Sequence, residues 1–406
     1  MKIFDPIYGF IEIDSLIEKI LKTIPFQRLK SIHQIAAASF VYGGGTHTRA
    51  EHSMGTMHMA SKIFDRIIER ESIFTFFPEL NAEKIRYWRS VLQAASLLHD
   101  VGHLPFSHLA EEELLGTYGH EDWTRKIIES SFLQPIWESE GLCVHDIVKI
   151  ALGKQCCKDP YTPWETIVTQ MLTGDFGGDR IDYLLRDSHY TGLSYGHIDY
   201  QQLIHSLRLL PYQDKIVLGL EEDGLESCYG LFLARYFMHK RLYQNSNVKA
   251  YSFHMKEMVK RYILDSKALD SVENYLRTSD FEILAKAYRA IFDPTDPDHS
   301  HAMAIFEQKD RIKVYPINNE GFDILKKKFD NEKDKIFLEK GFCAKKGFSL
   351  SFPILMKNDI VAEAGEIAEV FIPDIERSWV YASHEMASEV SKIISNDSKF
   401  SHKSSI

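Results

Sequence analysis

A chain of 406 residues exceeds the size at which single cores usually stop growing, so one large domain with a smaller one is expected. Its 44% hydrophobic and 26% charged residues are ordinary for a globular protein, which excludes extensive disorder. A net charge of −10 argues against a broad nucleic-acid surface, and no apolar run approaches the roughly 20 residues that span a bilayer.

In chain order, residues 1–20 mix strand and turn signals, and residues 15–38 carry apolar residues at helical spacing. The opening Met1-Lys2-Ile3-Phe4-Asp5-Pro6 lacks the basic-then-apolar layout of a signal peptide. Residues 41–48 form a Gly-rich loop. Its Gly43-Gly44-Gly45 lacks the Gly-Lys-Ser/Thr ending of a phosphate loop and reads as a turn. A helix is predicted over 50–71, with Met59, Ile63 and Ile67 on one stripe. Asn81 caps a second, whose stripe Ile85, Trp88, Leu92, Ala95 ends at His99. Short helices follow from Ser107 and His120. Residues 165–187 read as helix broken at Gly174 and Gly177-Gly178, and a long aromatic-rich helix covers 226–247.

After about residue 270 the texture changes. Residues 293–298 are turn-rich, and 311–315, 348–352 and 368–372 read as strands; the last residues, from Ser398, look like a frayed tail. The expected fold is mainly α, with a helical body over 1–270 and a smaller α+β region over 271–406 serving assembly or regulation. Five cysteines, two of them the adjacent Cys156 and Cys157, make a poor disulfide framework, so a reduced, cytoplasmic setting is expected.

Eight of the eighteen histidines fall between His33 and His120, which concentrates metal and proton chemistry there. The apolar helix ending at Leu98 delivers His99-Asp100, and Gly102 and Pro105 then turn the chain so that His103 and His108 lie nearby. Imidazole nitrogen and carboxylate oxygen together suit zinc, iron or manganese. His52 leads the stripe of Met59 and Ile63, so it sits on a buried face; the competing reading is a core histidine bonded to a carbonyl. Arg49 stands near that helix N-terminus, where an anionic ligand is favoured. Asp179, Tyr183 and Asp187 are spaced i, i+4, i+8 on one face. Arg235, His239 and Tyr243 repeat that spacing among apolar neighbours, so they should face a ligand, water or an internal hydrogen-bond network.

His52, His99-Asp100 and Asp179 together form an H…HD…D signature, and the chain resembles the HD-domain metal-dependent phosphohydrolases, in particular the deoxynucleoside triphosphate triphosphohydrolases. Supporting strings are Pro25-Phe26-Gln27-Arg28-Leu29, Arg49-Ala50-Glu51-His52-Ser53-Met54-Gly55, the His99-to-His108 segment, His120-Glu121, Asp179-Arg180-Ile181-Asp182-Tyr183, and Arg235 through Gln244, so the resemblance covers roughly residues 1–260. It implies an HD-domain helical bundle in which His52, His99, Asp100 and Asp179 bind a divalent transition metal (Mn, Fe or Zn, with Mg on the nucleotide left open). It implies that His103, His108 and His120 lie on the phosphate side, that Arg49 and Arg180 contact the triphosphate, that Gln34 and Ile35 flank the sugar, and that Tyr183, Asp187 and Tyr243 contact sugar or base.

His108 is the expected proton donor to the leaving group, with Glu111 three residues on to orient it. The implied reaction is hydrolysis of deoxynucleoside triphosphates to deoxynucleoside and inorganic triphosphate, by a homo-oligomer without membrane or nucleic-acid partners. Lys22 stands near the position where nucleotide-activated vertebrate members carry an acidic residue, so a nucleotide activator stays open. So do two alternatives: another nucleotide phosphate ester as substrate, and a regulatory nucleotide-binding or nucleic-acid-binding protein with a vestigial site.

Overall fold

Alternation in the first dozen residues becomes an antiparallel hairpin, Lys2–Asp5 against Gly9–Glu12, in the computed structural model, which describes residues 1–332, 335–340, 351–367 and 377–396. The helical stretch expected over 15–38 is divided into Ser15–Leu21, Ile24–Leu29 and a short 3-10 turn, Ala36–Phe40. Thr23 caps the second piece by accepting from the Phe26 amide. Pro25 in its first turn has no N–H for a continuous helix, so the chain turns there.

The centre of the body is the helix Arg49–Arg70, opened by a capping box of Thr48 and Glu51. It packs against Ala82–Leu98 on one side and Gly178–Thr191 on another. Glycines make the second contact possible. A Cβ on Gly55 would lie 1.8 Å from Asp182 Oδ1, and one on Gly178 would lie 2.6 Å from the Ala60 amide nitrogen. Gly55→Ala is therefore an overpacking change at a helix crossing. It should cost about 1–3 kcal/mol, read as a lower urea midpoint; an unchanged midpoint would contradict this packing.

Ala82–Leu98 is capped by Asn81, as its sequence indicates, and every residue from Val91 to Leu98 is buried. Helices Pro163–Thr173 and Gly178–Thr191 are separated at Gly174 and Gly177, also as expected. The long helix predicted over 226–247 is different. It runs as Leu225–Met238, widens into a π turn over His239–Tyr243, and gives way to a new helix, Ser246–Asp265. Asn245 accepts from the amides of Asn247 and Val248, and this cap competes with helix continuation.

Leu207–Tyr212 pairs antiparallel with Lys215–Glu221, which pairs in parallel with Pro353–Leu355; Val361–Glu363 completes that sheet. A second sheet places Ser378–Ala382 between Lys313–Ile317 and Ile336–Glu339. The strand expected at 311–315 lies two residues later. Residues 348–350, the strand expected at 368–372 and the tail from 398 fall outside the described residues. The main apolar core extends from Ile11 through Ile305 and includes Phe352 and Ile354. A smaller one gathers Ile317, Leu325, Ile336, Val380 and Val390. Among the described residues no helix is long and apolar enough to cross a membrane, and Cys143, Cys156, Cys157 and Cys228 are free thiols.

Candidate active site

Three helix ends converge on one cluster. Arg49–Arg70 presents His52 in its first turn, Gly178–Thr191 presents Asp179 in its first turn, and the buried end of Ala82–Leu98 delivers His99 and Asp100. His52 Nε2 lies 3.2 Å from Asp179 Oδ1 and 3.7 Å from Asp100 Oδ2. His99 Nε2 lies 3.4 Å from Asp100 Oδ1 and 3.7 Å from Asp179 Oδ1. The sequence-predicted ligands thus stand together.

The outer nitrogens explain how the rings are aimed. His99 Nδ1 donates to the Ser96 carbonyl at 2.9 Å, and His52 Nδ1 is 2.8 Å from Asp182 Oδ2. Both rings therefore turn Nε2 inward, and the buried His99 Nε2 has no hydrogen-bond partner. Two inward imidazoles, one of them orphaned, beside two carboxylates fit a divalent transition metal.

Burial opposes protonation of His52, but its bonds to Asp179 and Asp182 prevail and raise its pKa to about 10. Burial likewise pushes the Asp179 carboxyl upward, yet the bond from His52 and the nearby His99 ring hold it below the usual carboxylate range. A metal held by His52 would have to displace that ring's extra proton below about pH 10. Apparent Mn²⁺ affinity should then rise about tenfold per pH unit for each proton displaced. Calorimetric titration in buffers of different ionisation enthalpy reads that proton directly; a pH-independent affinity would contradict it.

Asp182 was not among the residues singled out by sequence. It is fully buried, and Arg186 grips both its oxygens at 2.9 Å while reaching Asp5 Oδ2 at 2.9 Å. Asp182→Asn offers His52 an amide that can donate where an acceptor is needed. It should weaken metal binding roughly 10- to 100-fold, measured by competition with a chelating dye; unchanged affinity would remove Asp182 from the site.

A second group lies alongside. His103 stacks on His120 with ring centroids 3.6 Å apart and meets His108 edge-on at 4.6 Å. Glu111 holds two of these rings, with oxygens 2.6 Å from His108 Nδ1 and 2.6 Å from His120 Nδ1. Burial raises the Glu111 carboxyl, but bonds from His108 and His120 outweigh it and keep it ionised. Burial, Arg49 and His120 hold the His103 pKa far below its ordinary value, so this ring is neutral.

Both groups open into one cleft of about 490 Å³. Arg49, His52, Asp100, His103, His108, His120 and Asp179 line it, together with Gln34, Ile35, Tyr183, Asp187, His239 and Tyr243. Arg49 is held by Asp100 and, through Nε, by Ser107 Oγ at 2.9 Å. Tyr243 donates to Asp187 Oδ2, whose other oxygen is 2.8 Å from His47 Nε2. Burial, with Arg235 and Arg180 nearby, lowers the His239 pKa to about 4. Arg180 and Arg235 are not among the lining residues; Arg180 donates to Asp175 Oδ1 at 2.6 Å. Lys22 is exposed and paired with Glu18.

The HD domain family matches residues 49–161. The chain is 31% identical over 294 residues to an uncharacterized protein of Methanocaldococcus jannaschii, a match covering 70% of this chain and 57% of that protein. It is 28% identical over 356 residues to the deoxynucleoside triphosphate triphosphohydrolase SAMHD1 of Gallus gallus, covering 78% of this chain and 55% of that one. The chain spans about half the length of the curated relatives it matches. The crystal structure of a hypothetical protein from Aquifex aeolicus superposes with a TM-score of 0.79 at 26% identity, covering 97% of this chain and 99% of that one. The matched segment brings His52, His99 and Asp100 into one cluster, so residues 49–161 of this chain carry an HD domain.

Proposed function

We propose that the chain hydrolyses deoxynucleoside triphosphates to deoxynucleoside and inorganic triphosphate. The observation that carries this reading is one cleft, which joins His52, Asp100 and Asp179 of the first cluster and the His103–His108–His120 group to an aromatic and polar end at Tyr183, Asp187 and Tyr243. Its volume is in the range of pockets that enclose ligands of nucleotide size.

His52, His99, Asp100 and Asp179 would hold the divalent metal, which when bound supplies Lewis acidity toward a phosphoryl oxygen and acidifies water. The protein's own groups do the rest. Arg49, fixed on two sides, offers a guanidinium to phosphate oxygens. Neutral His103, ringed by His108 and His120, contributes imidazole surface without adding a charge to be desolvated. A water oxygen adds to the α-phosphorus and sheds a proton to solvent, the P–O5′ bond breaks, and His108 gives its proton to the departing O5′. Glu111 stabilises the imidazolium before transfer, as acidic partners do for other catalytic histidines. Gln34, Ile35, Tyr183, Asp187 and Tyr243 surround the nucleoside.

Anion-exchange analysis after incubation with all four dNTPs and Mn²⁺, with and without GTP, tests the reading. Inorganic triphosphate and deoxynucleosides are expected, and any dependence on GTP reveals a nucleotide activator. Unchanged dNTPs with every metal tested would overturn it.

A further inference from the structure

The turn that carries His108 has an unusual backbone. Phe106 and Ser107 are consecutive non-glycine residues in the left-handed region, with φ of 57° and 59°. A side chain at such an angle costs conformational energy, so the surroundings must hold it there. Both residues are buried.

What holds them comes from beyond residue 270. Asp280, itself fully buried, accepts the Phe106 amide on Oδ1 at 2.7 Å. Its Oδ2 accepts the His33 amide at 2.8 Å and stands 2.7 Å from His33 Nδ1. One side chain thus ties together the two segments that deliver Gln34–Ile35 and Ser107–His108 to the cleft. Ser107 closes the loop by donating to the His33 carbonyl at 3.0 Å while accepting from Arg49 Nε. The neighbouring carbonyls are gripped too: Tyr275 donates to Gly102 O, and Arg28 bridges His103 O and Thr278 O at 2.9 Å each.

We propose that Asp280 is a positioning residue for phosphate hydrolysis, clamping the left-handed turn at residues 106–107 against the His33 segment so that His108 and the Ser107-held Arg49 face the phosphates. The inference rests on the function proposed above. Asp280 does not line the cleft and touches no reacting atom. It acts through the turn. Its chemistry is specific, because all its partners are donors: an isosteric amide would set its NH₂ against at least one N–H.

Asp280→Asn is the test, with Mn²⁺-loaded full-length protein and dATP. We expect kcat to fall roughly 10- to 100-fold, as displacement of a catalytic group by about 1 Å does. Metal content should stay within about twofold of wild type, since Asp280 bonds no residue of the metal cluster, and the loss should fall more on kcat than on KM, since only the Gln34–Ile35 side of the nucleoside end hangs on the same clamp. Hydrogen exchange in a peptide covering residues 101–110 should accelerate. Unchanged kcat, or a fall in metal content matching the fall in rate, overturns the inference. If D280N does not fold, Ser107→Ala tests the same clamp from the other side: at least a tenfold lower kcat in a folded protein is expected, and wild-type kcat overturns it. An inactive wild type overturns the functional reading and this inference with it, whereas an active wild type with an equally active D280N overturns this inference alone.

Discussion

Asp179→Ala should lower the hydrolytic rate by roughly three powers of ten and release the metal from the purified protein. The carboxylate supplies one of the inward oxygens, 3.2 Å from His52 Nε2 and 3.7 Å from His99 Nε2. Losing a bound divalent ion forfeits several kcal/mol of transition-state stabilisation, and ~1.4 kcal/mol is a factor of ten. The fold should survive. The Asp179 side chain is 30% exposed in the first turn of its helix, and that helix is anchored by buried Ile181, Leu184 and Leu185. Metal content by mass spectrometry and the initial rate check the prediction together. A variant that keeps both its metal and its turnover would show that the ligand assignment is wrong.

His108→Gln should reduce kcat by about 10²–10⁴, the usual contribution of a placed general acid, with little change in KM. The side chain is 67% exposed at the cleft mouth, so removing it leaves no cavity. Glu111 would keep its bond to His120. Acid catalysis carries a signature that packing does not. A phosphodiester with a p-nitrophenolate leaving group needs no proton on departure, and H108Q should hydrolyse it at close to the wild-type rate. Equal losses on both substrates would assign His108 to binding rather than to proton delivery.

The cluster was legible in the sequence wherever chemistry and local structure coincide. His99-Asp100 follows an apolar stripe that ends on them, and His52 sits on the same stripe as Met59 and Ile63, so period 3.6 alone brings these side chains inward. Gly174 and Gly177 marked the break before Asp179 for an equally local reason. The helix expected over 226–247 differs because an amphipathic count cannot see a π turn, which replaces the α-helix at His239–Tyr243 before Asn245 caps the next helix. The hairpin of Leu207–Tyr212 and Lys215–Glu221 passed unnoticed although Gln213-Asp214 joins its strands, with both residues at positive φ.

The groups that aim the site were harder to find, since their partners are remote in sequence. Asp182 looks like one more charge in Asp179-Arg180-Ile181-Asp182-Tyr183. Its role appears only when Arg186 reaches Asp5, 181 positions away, and His52 comes within 2.8 Å. Asp280 reads locally as an acid in a helix's first turn, and its partners His33 and Phe106 are 247 and 174 positions distant. No periodicity reports such contacts, which tertiary packing alone creates.

In the proposed reaction water attacks the α-phosphorus and O5′ leaves with the nucleoside. Hydrolysis of dATP in H₂¹⁸O, with the products separated and weighed by mass spectrometry, tests it most directly. One ¹⁸O is expected in inorganic triphosphate and none in deoxyadenosine. Label in orthophosphate or pyrophosphate, with a deoxynucleoside di- or monophosphate as co-product, would place the attack elsewhere on the chain of phosphates and contradict it.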